Sequence, residues 1–250
     1  PLERIGILFG SAQPYGRLVH EHLAAAGIAR NGTAVRPLAA TALGRTLLDL
    51  LALADHDFRR ADLLGLLARA VGGSAQAPTA AWERISRRAG VVAGRADWDN
   101  LLTRTAQQYA HQAATLEGTG DDRDQGAARY AQLQAERTLG LRTLVLSVID
   151  GIGEARARPA PWAERVPWLR RLVVRLTGAE PARADWPADE LKAADTIEAA
   201  LDRLAGLDGI DEPPSLDVFR RTLEIELDAD IGRVGRFGEG VLVAPLSFAV

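Results

Sequence analysis

Apolar residues are arranged differently at the two ends of the chain and in its middle. Segment 3–9 is a short apolar run bounded by small residues, which predicts a buried strand. A helix is expected at 17–26, where apolar positions share one face and a glycine follows. Residues 33–36 suit a second short strand, and the run at 240–244 predicts a third. Strands are therefore expected at both ends of the chain.

From residue 37 onward the apolar residues recur at spacings of three and four, which is the period of an amphipathic helix. Glycine, serine and alanine at 72–78 predict a linker, and the polar stretch at 118–126 predicts a solvated turn. The predicted helices lie at 43–54, 63–71, 79–89, 98–116, 123–150, 160–177, 187–206 and 214–228. The middle of the chain is thus expected to be helical.

Two end strands more than 200 residues apart cannot be stable alone. The economical arrangement is a small α/β layer in which the terminal strands join one sheet, with a helical insertion between them. The fold class is therefore mainly α. We expect boundaries that give segments 1–71, 72–230 and 231–250, with the first and last belonging to the same layer.

Composition excludes several kinds of chemistry. The chain has no cysteine, which rules out disulfides and thiolate catalysis. Its one lysine, Lys192, lies in Glu-Leu-Lys-Ala, so the Gly-x-x-x-x-Gly-Lys motif that cradles phosphates is missing. No Gly-x-Ser-x-Gly turn for a nucleophilic serine is present either. We therefore expect no catalysis by this chain alone.

The expected location is the cytoplasm. No apolar run approaches the roughly 18 residues that cross a bilayer, and no charged leader precedes an apolar stretch. Membranes are therefore not expected as partners. Because the chain begins at Pro1 and contains no methionine, we expect it to be a piece of a longer protein.

No metal site is expected from the histidines or the acidic residues. His20 and His22 lie two apart on a predicted helix, so they point to different sides, and we interpret the histidines as surface residues. The acidic loop around Asp122 lacks the spaced oxygens and the distal glutamate of a calcium loop. We expect that loop to be ordinary solvent-facing polarity.

The net charge of −3 conceals a division of the chain into a basic and an acidic part. Residues 1–183 carry a net charge of +6, whereas residues 184–250 carry −9. Because arginine pairs with phosphate and tryptophan stacks on bases, two arginine clusters are candidate nucleic-acid contacts. The candidates are Arg84, Arg87, Arg88, Arg165, Arg170 and Arg171.

An alternative interpretation of the second cluster is an amphipathic helix. An apolar stripe from Trp162 to Leu176 would face the core while the arginines cover the solvent side. The acidic part of the chain would then neutralise the basic part inside the fold. The pair Gly151 and Gly153 also permits a hairpin between two helices, either as a plain turn or as a phosphate contact.

Two stretches carry a resemblance to a known family. Arg4-Ile-Gly-Ile-Leu-Phe-Gly-Ser-Ala-Gln-Pro-Tyr-Gly-Arg17 resembles the fourth helicase motif of UvrD/Rep-type superfamily 1 DNA helicases, in the variant of the AddB-like helicase-nuclease group. The continuation, which begins Arg36-Pro-Leu-Ala-Ala-Thr-Ala-Leu-Gly-Arg45, resembles the region that follows in that group. The run from Gly240 to Val250 resembles the strand that enters the fifth motif.

The resemblance implies that segments 1–71 and 231–250 form part of a RecA-like motor domain called 2A. Segment 72–230 would be the helical 2B insertion. It also implies that Arg17 contacts nucleotide phosphate, while Gly10 occupies a place where the family often has another arginine. ATP and magnesium would be bound by the rest of the motor, and this chain alone would need no cofactor. Implied partners are single-stranded or tailed duplex DNA, the remaining motor domains and a second helicase-nuclease subunit.

Three functional hypotheses follow. The first is an accessory fragment of an ATP-dependent DNA helicase or helicase-nuclease subunit that acts in DNA repair and recombination. The second is a helical protein-interaction scaffold of a DNA-repair complex with a degenerate motor, which Gly10 and the acidic residues of 184–230 favour. The third is an unrelated helical regulatory domain whose first residues only resemble the helicase motif.

Overall fold

A computed structural model gives the fold of the chain. It describes residues 2–33, 36–70, 79–118, 122–177, 183, 186–209, 212–229 and 232–249. The strands in these ranges are β1 (Gly6–Phe9), β2 (Arg30–Thr33), β3 (Arg233–Val234) and β4 (Val241–Pro245). The helices in the same ranges are α1 (Arg17–Ala25), α2 (Ala42–Ala52), α3 (Arg60–Ala70), α4 (Thr79–Ala89), α5 (Gly94–Glu117), α6 (Asp122–Ala157), α7 (Trp162–Thr177), α8 (Ala188–Ala205) and α9 (Leu216–Leu227). The protein is mainly helical, as predicted.

The four strands form one sheet in the order β1-β4-β2-β3. β4 lies between β1 and β2 and is parallel to both, with Ile7 and Gly32 in register with Val243 from either side. β3 is antiparallel to β2. The prediction that the strands at the two ends of the chain share a sheet is therefore confirmed. Phe9, Val241 and Val243 form its buried core, against which Val19 of α1 packs.

Of the predicted second strand at 33–36, Thr33 belongs to β2 (Arg30–Thr33) and Arg36 lies in no strand, whereas residues 34 and 35 lie outside the described residues. β2 begins three residues earlier than predicted. Its sequence, Arg-Asn-Gly-Thr, has no apolar side chain from which a strand would be recognised. Gly32 has a φ of 141°, and a Cβ atom there would lie 1.8 Å from the carbonyl oxygen of Val243. The strand therefore depends on glycine at a point of close approach between two backbones.

Two helices of the middle region, α5 and α6, are longer than the sequence pattern predicts. α6 begins at Asp122 and continues to Ala157, so it takes in part of the predicted turn at 118–126 and the whole of Gly151–Gly153. The hairpin between two helices at that glycine pair is therefore wrong, and its backbone amides belong to the helix. The predicted linker at 72–78 lies outside the described residues.

The helical core rests on the pairing of α5 with α6 and on the apolar stripe of α7. Trp98 of α5 is fully buried, and its indole Nε1 donates a hydrogen bond to the carbonyl oxygen of Phe58 at 2.9 Å. In α7, the stripe from Trp162 to Leu176 is buried, and Trp162 contacts Phe219 with ring centroids 5.6 Å apart. The amphipathic interpretation of α7 is thus confirmed for its apolar face.

The described chain consists of two compact units. The strand unit comprises Pro1–Arg45, Trp186–Leu204 and Arg221–Val250, and it contains the sheet with α1 and most of α8. The helical unit comprises Thr46–Asp185 and Ala205–Arg220. Among the described helices, none has both the length and the apolar character that a membrane span requires.

Candidate functional site

Four arginines of the strand unit converge on one cavity of about 520 Å³. They come from α1, β2, the segment after β2, and α2. The four are Arg17, Arg30, Arg36 and Arg45. His20, Glu21 and Asp189 also line the cavity. Most of these residues lie between positions 17 and 45, and Asp189 joins them from a distant part of the chain.

Arg17 is the first residue of α1, the helix that follows β1. A cation in the first turn is disfavoured by the helix dipole, so helix stability does not explain its presence. Its Nε atom lies 3.3 Å from Glu21 Oε1 one turn later, and both side chains are 57% exposed. Such an exposed ion pair is weak, which leaves the guanidinium able to exchange Glu21 for an anionic ligand.

His20 is 8% exposed, so the interpretation of all the histidines as surface residues is wrong at this position. Its Nε2 atom lies 3.0 Å from the carbonyl oxygen of Thr33, and its Nδ1 accepts a hydrogen bond from Arg30 Nε at 3.2 Å. Burial lowers the pKa of His20, and the positive charge of Arg30 lowers it further. The imidazole is therefore neutral, donates through Nε2 and holds Arg30 at the cavity wall.

Two carboxylates at the start of α8 lie beside the arginines. Glu190 Oε1 is 2.7 Å from Arg36 Nη1, and its Oε2 accepts a hydrogen bond from the backbone N–H of Ala42. Asp189 lies 3.8 Å from Arg30 Nη2. The expected neutralisation of basic residues by the acidic part of the chain occurs at these two points. In the part of the chain that the structure describes, Arg45 has no ion-pair partner.

The first cluster of nucleic-acid candidates lies on α4, where all three arginines are exposed. Arg87 pairs with Glu83 at 2.7 Å, and hydrogen bonds from Arg87 and then Arg60 lower the pKa of Glu83. Arg88 lies over the ring of Tyr109, with its guanidinium carbon 5.4 Å from the centroid. Arg84 has no ion pair within the described ranges. The cluster presents a basic helix face with only local compensation.

The three arginines of the second cluster lie on different sides of α7 and differ in burial. Arg171 is exposed and Arg170 half-buried, but Arg165 is only 3% exposed, so the expectation that the arginines cover the solvent side of α7 is wrong at Arg165. The spacing could have shown this, because Arg165 lies three residues after Trp162 and four before Leu169, both of which are on the buried face. Counting charges along the segment did not reveal that the helical repeat places Arg165 on the buried face.

Sequence reasoning missed Arg30 and did not single out Arg36 or Arg45, although Arg36 begins, and Arg45 lies within, a stretch that carries the family resemblance. Within the described ranges, no three His, Asp or Glu side chains lie close enough to form a metal site. No protein-family model matches the chain, and a comparison with curated proteins gives no match. The functional assignment therefore depends on the residues themselves.

Proposed function

We propose that the chain is the accessory 2A and 2B part of an ATP-dependent DNA helicase or helicase-nuclease subunit, which acts in DNA repair and recombination in the cytoplasm. Arg17 would contact nucleotide phosphate across the motor cleft, and the helical insertion would contact single-stranded or tailed duplex DNA. ATP and magnesium would be held by the remaining motor domains. A second helicase-nuclease subunit is a further partner under this proposal.

The observation that carries the proposal is the cavity of about 520 Å³ into which Arg17 converges with three other arginines. Guanidinium groups bind phosphate oxygens in a planar, bidentate geometry and remain charged at any physiological pH. In phosphoryl transfer, an arginine fixed beside the transferred group stabilises the charge that develops on it. Among the described residues, Arg17 has only the exposed Glu21 as its ion-pair partner, so it is available for that role.

The chain topology supports the same proposal. β1 and β4 are adjacent parallel strands, although about 230 residues separate them in sequence. Most of the intervening residues form helices, and many of these belong to a separate compact unit. A motor domain that carries a helical insertion between two of its strands would have this organisation.

Fluorescence anisotropy with labelled single-stranded, duplex and tailed DNA tests the DNA-binding part. We expect binding that weakens steeply with salt, with a slope that counts the phosphates engaged. The double variant Arg84→Gln, Arg88→Gln should reduce the slope for single strands by about 1.4. The matched control is Arg104→Gln, Arg129→Gln, which removes two other exposed arginines of the helical unit. No binding at low salt would contradict the proposal.

The role of Arg17 is tested in the complete motor that the proposal implies. Arg17→Ala should lower the ATPase rate by about 100-fold, because a fixed cation beside the phosphates is lost. Arg4→Gln removes an exposed arginine that does not line the cavity and should leave the rate unchanged. ATP hydrolysis by the present chain alone, if it persisted through repurification, would refute the assignment.

A second candidate function, the protein-interaction scaffold with a degenerate motor, is favoured by the carboxylates at the cavity. Asp189 and Glu190 already pair with Arg30 and Arg36. Gly10 also stands where the resembling family often has an arginine. If Arg17→Ala left ATPase unchanged but abolished assembly with the second subunit, the scaffold would replace the motor fragment as the better assignment.

A further inference from the structure

A second cavity, of about 710 Å³, lies within the helical unit between the end of α6 and the first half of α7. It is larger than the arginine-lined cavity of the strand unit and is of a size that accommodates a small organic ligand. The residues that define its chemistry are Gly151, Arg158, Ala163, Arg165, Trp168 and Arg171. Glu154 and Glu164 also line it, so the wall carries three positive and two negative side chains.

Arg165 is a buried charged residue of this wall. Its Nη2 donates to the carbonyl oxygens of Arg158 at 2.7 Å and Pro214 at 3.4 Å, while its Nε is buried without a hydrogen-bond partner. In the described part of the chain, no carboxylate lies within ion-pair distance of it. Burial, and then the charge of Arg158, lower its pKa. Buried charges are normally paired, so this guanidinium would gain from an anion in the cavity.

The other side chains add to this preference. Arg171 is exposed at the same cavity, and among the described residues it has no ion-pair partner. The cavity therefore offers two cations to an anionic ligand.

Trp168 gives the cavity a flat apolar surface. Its side chain is partly exposed, in contrast to Trp162, which packs into the core of the unit against Phe219. Its indole Nε1 lies 3.8 Å from the position that a Cβ atom would occupy at Gly151, so the helices approach closely there. Indole rings stack on nucleobases of any sequence, and each stacked base contributes about 1–3 kcal/mol.

We propose that this cavity binds one nucleotide unit, with the phosphate at Arg165 and Arg171 and the base against Trp168. The unit is either a free mononucleotide or one residue of a single strand, since both present the same base and phosphate. The proposal goes beyond the motor assignment because it involves neither Arg17 nor ATP. It rests on the proposed function only in the choice of DNA as the polymer.

The test uses the whole chain, titrated with dTMP, with an oligonucleotide of eight thymidines, and with inorganic phosphate, with tryptophan fluorescence and calorimetry as readouts. Saturable quenching by dTMP supports the proposal. Tighter binding of the oligonucleotide identifies a single strand as the source, and equal binding identifies a free nucleotide. Absence of saturable binding of both, or phosphate binding as tight as dTMP binding, overturns it.

Variants at the cavity test whether the dTMP binding signal arises there. Arg171→Gln should weaken dTMP binding about tenfold, which corresponds to ~1.4 kcal/mol. Arg175→Gln is the matched control, since Arg175 is exposed one turn later on α7 and does not line the cavity. Trp168→Leu should abolish most of the quenching and the preference for dTMP over phosphate. If Arg175→Gln weakened binding as much as Arg171→Gln, general charge attraction would explain the result and the site would be refuted.

Two further variants separate this proposal from others. Arg165→Met should reduce dTMP binding more than Arg171→Gln does, but it also removes hydrogen bonds that hold Arg158 and Pro214. The Arg171→Gln and Trp168→Leu variants therefore decide whether dTMP binds in this cavity. Arg17→Gln should leave the dTMP titration unchanged. If Trp168→Leu had no effect while salt-dependent DNA binding persisted, this inference would fail and the proposed function would stand.

Discussion

The two cavities use arginine in different ways. In the strand unit, three of the four arginines have a carboxylate within 4.0 Å, and His20 orients one of them. In the helical unit, Arg165 is buried and has only backbone carbonyl partners among the described residues. The first cavity therefore offers partly neutralised charge, and the second offers a desolvated charge beside a tryptophan.

This difference affects what each cavity can bind. Exposed ion pairs such as Arg17 with Glu21 contribute little to stability, so a phosphate can replace the carboxylate at low cost. A buried guanidinium without a counter-charge interacts more strongly with an anion, because less water screens it. The cavity of the strand unit is thus suited to transient contact with phosphate, and the cavity of the helical unit is suited to retaining a ligand that carries a nucleobase.

The largest expected effect comes from Gly32→Ala. A Cβ atom at Gly32 would lie 1.8 Å from the carbonyl oxygen of Val243, and its φ of 141° is strained for alanine. We expect β2 to separate from β4 at a cost of ~3 kcal/mol or more, which removes the cavity at Arg30. Hydrogen exchange of the β4 amides measures this, and dTMP quenching at Trp168 should persist.

Gly6→Ala is the matched control for that variant. Gly6 lies on β1, and a Cβ atom there would meet nothing within 4 Å. Equal protection of β4 in Gly32→Ala and Gly6→Ala would show that the close approach at Gly32 does not hold the sheet together.

An intermediate effect is expected from Glu190→Gln. This variant removes the counter-charge of Arg36, so the strand-unit cavity would, like the cavity of the helical unit, contain an arginine without a carboxylate partner among the described residues. Glu190 lies 2.7 Å from Arg36, and its side chain is only 14% exposed. The free energy of unfolding should fall by ~1 kcal/mol, while the affinity for pyrophosphate should rise about fivefold because Arg36 is released. Thermal denaturation and calorimetry measure the two changes.

Asp195→Asn provides the control for Glu190→Gln, since Asp195 is an exposed carboxylate on the same helix. It should change neither quantity. A loss of pyrophosphate affinity in Glu190→Gln would mean that Glu190 positions Arg36 for the anion rather than competing with it.

The smallest expected effect is a pH dependence of the folding stability that arises from His20. Burial lowers the pKa of His20, so the folded protein binds this proton less readily than the unfolded chain. The stabilisation by neutral His20 is complete above its ordinary value of 6.5 and is lost as the pH falls through the lowered folded pKa. Arg30 and Asp189 are the charged groups that face it.

The measurement is the melting temperature of the wild type minus that of His20→Gln, between about pH 7.5 and 5. The difference should shrink as the pH falls. His22→Gln is the control on the exposed side of α1, and its difference should stay nearly constant. A difference for His20→Gln that did not change with pH would contradict the neutral, buried imidazole.

Several features of the fold could be predicted because they depend on local period. The terminal runs at 3–9 and 240–244 are apolar enough to identify β1 and β4, and the stripe on α7 follows the helical repeat. β2 could not be predicted in this way, because Asn31 and Gly32 are buried through backbone and amide hydrogen bonds rather than apolar side chains. The burial of His20 could not be predicted for the same reason, because it depends on polar contacts with Thr33 and Arg30 rather than on an apolar pattern.

The mainly helical character follows from the amino-acid sequence, because the 3.6-residue repeat fixes which side of each helix is apolar. The pairing of strands from the two ends follows from it as well, because two lone strands are not stable alone. Which charges meet depends on the tertiary fold. Arg17, Arg36 and Asp189 line or adjoin one cavity because β1 and β2 both pair with β4, an order that no local pattern encodes. The helical repeat places Arg165 on the buried face of α7, but only the packing against that face desolvates its charge, whereas Arg171 remains in water.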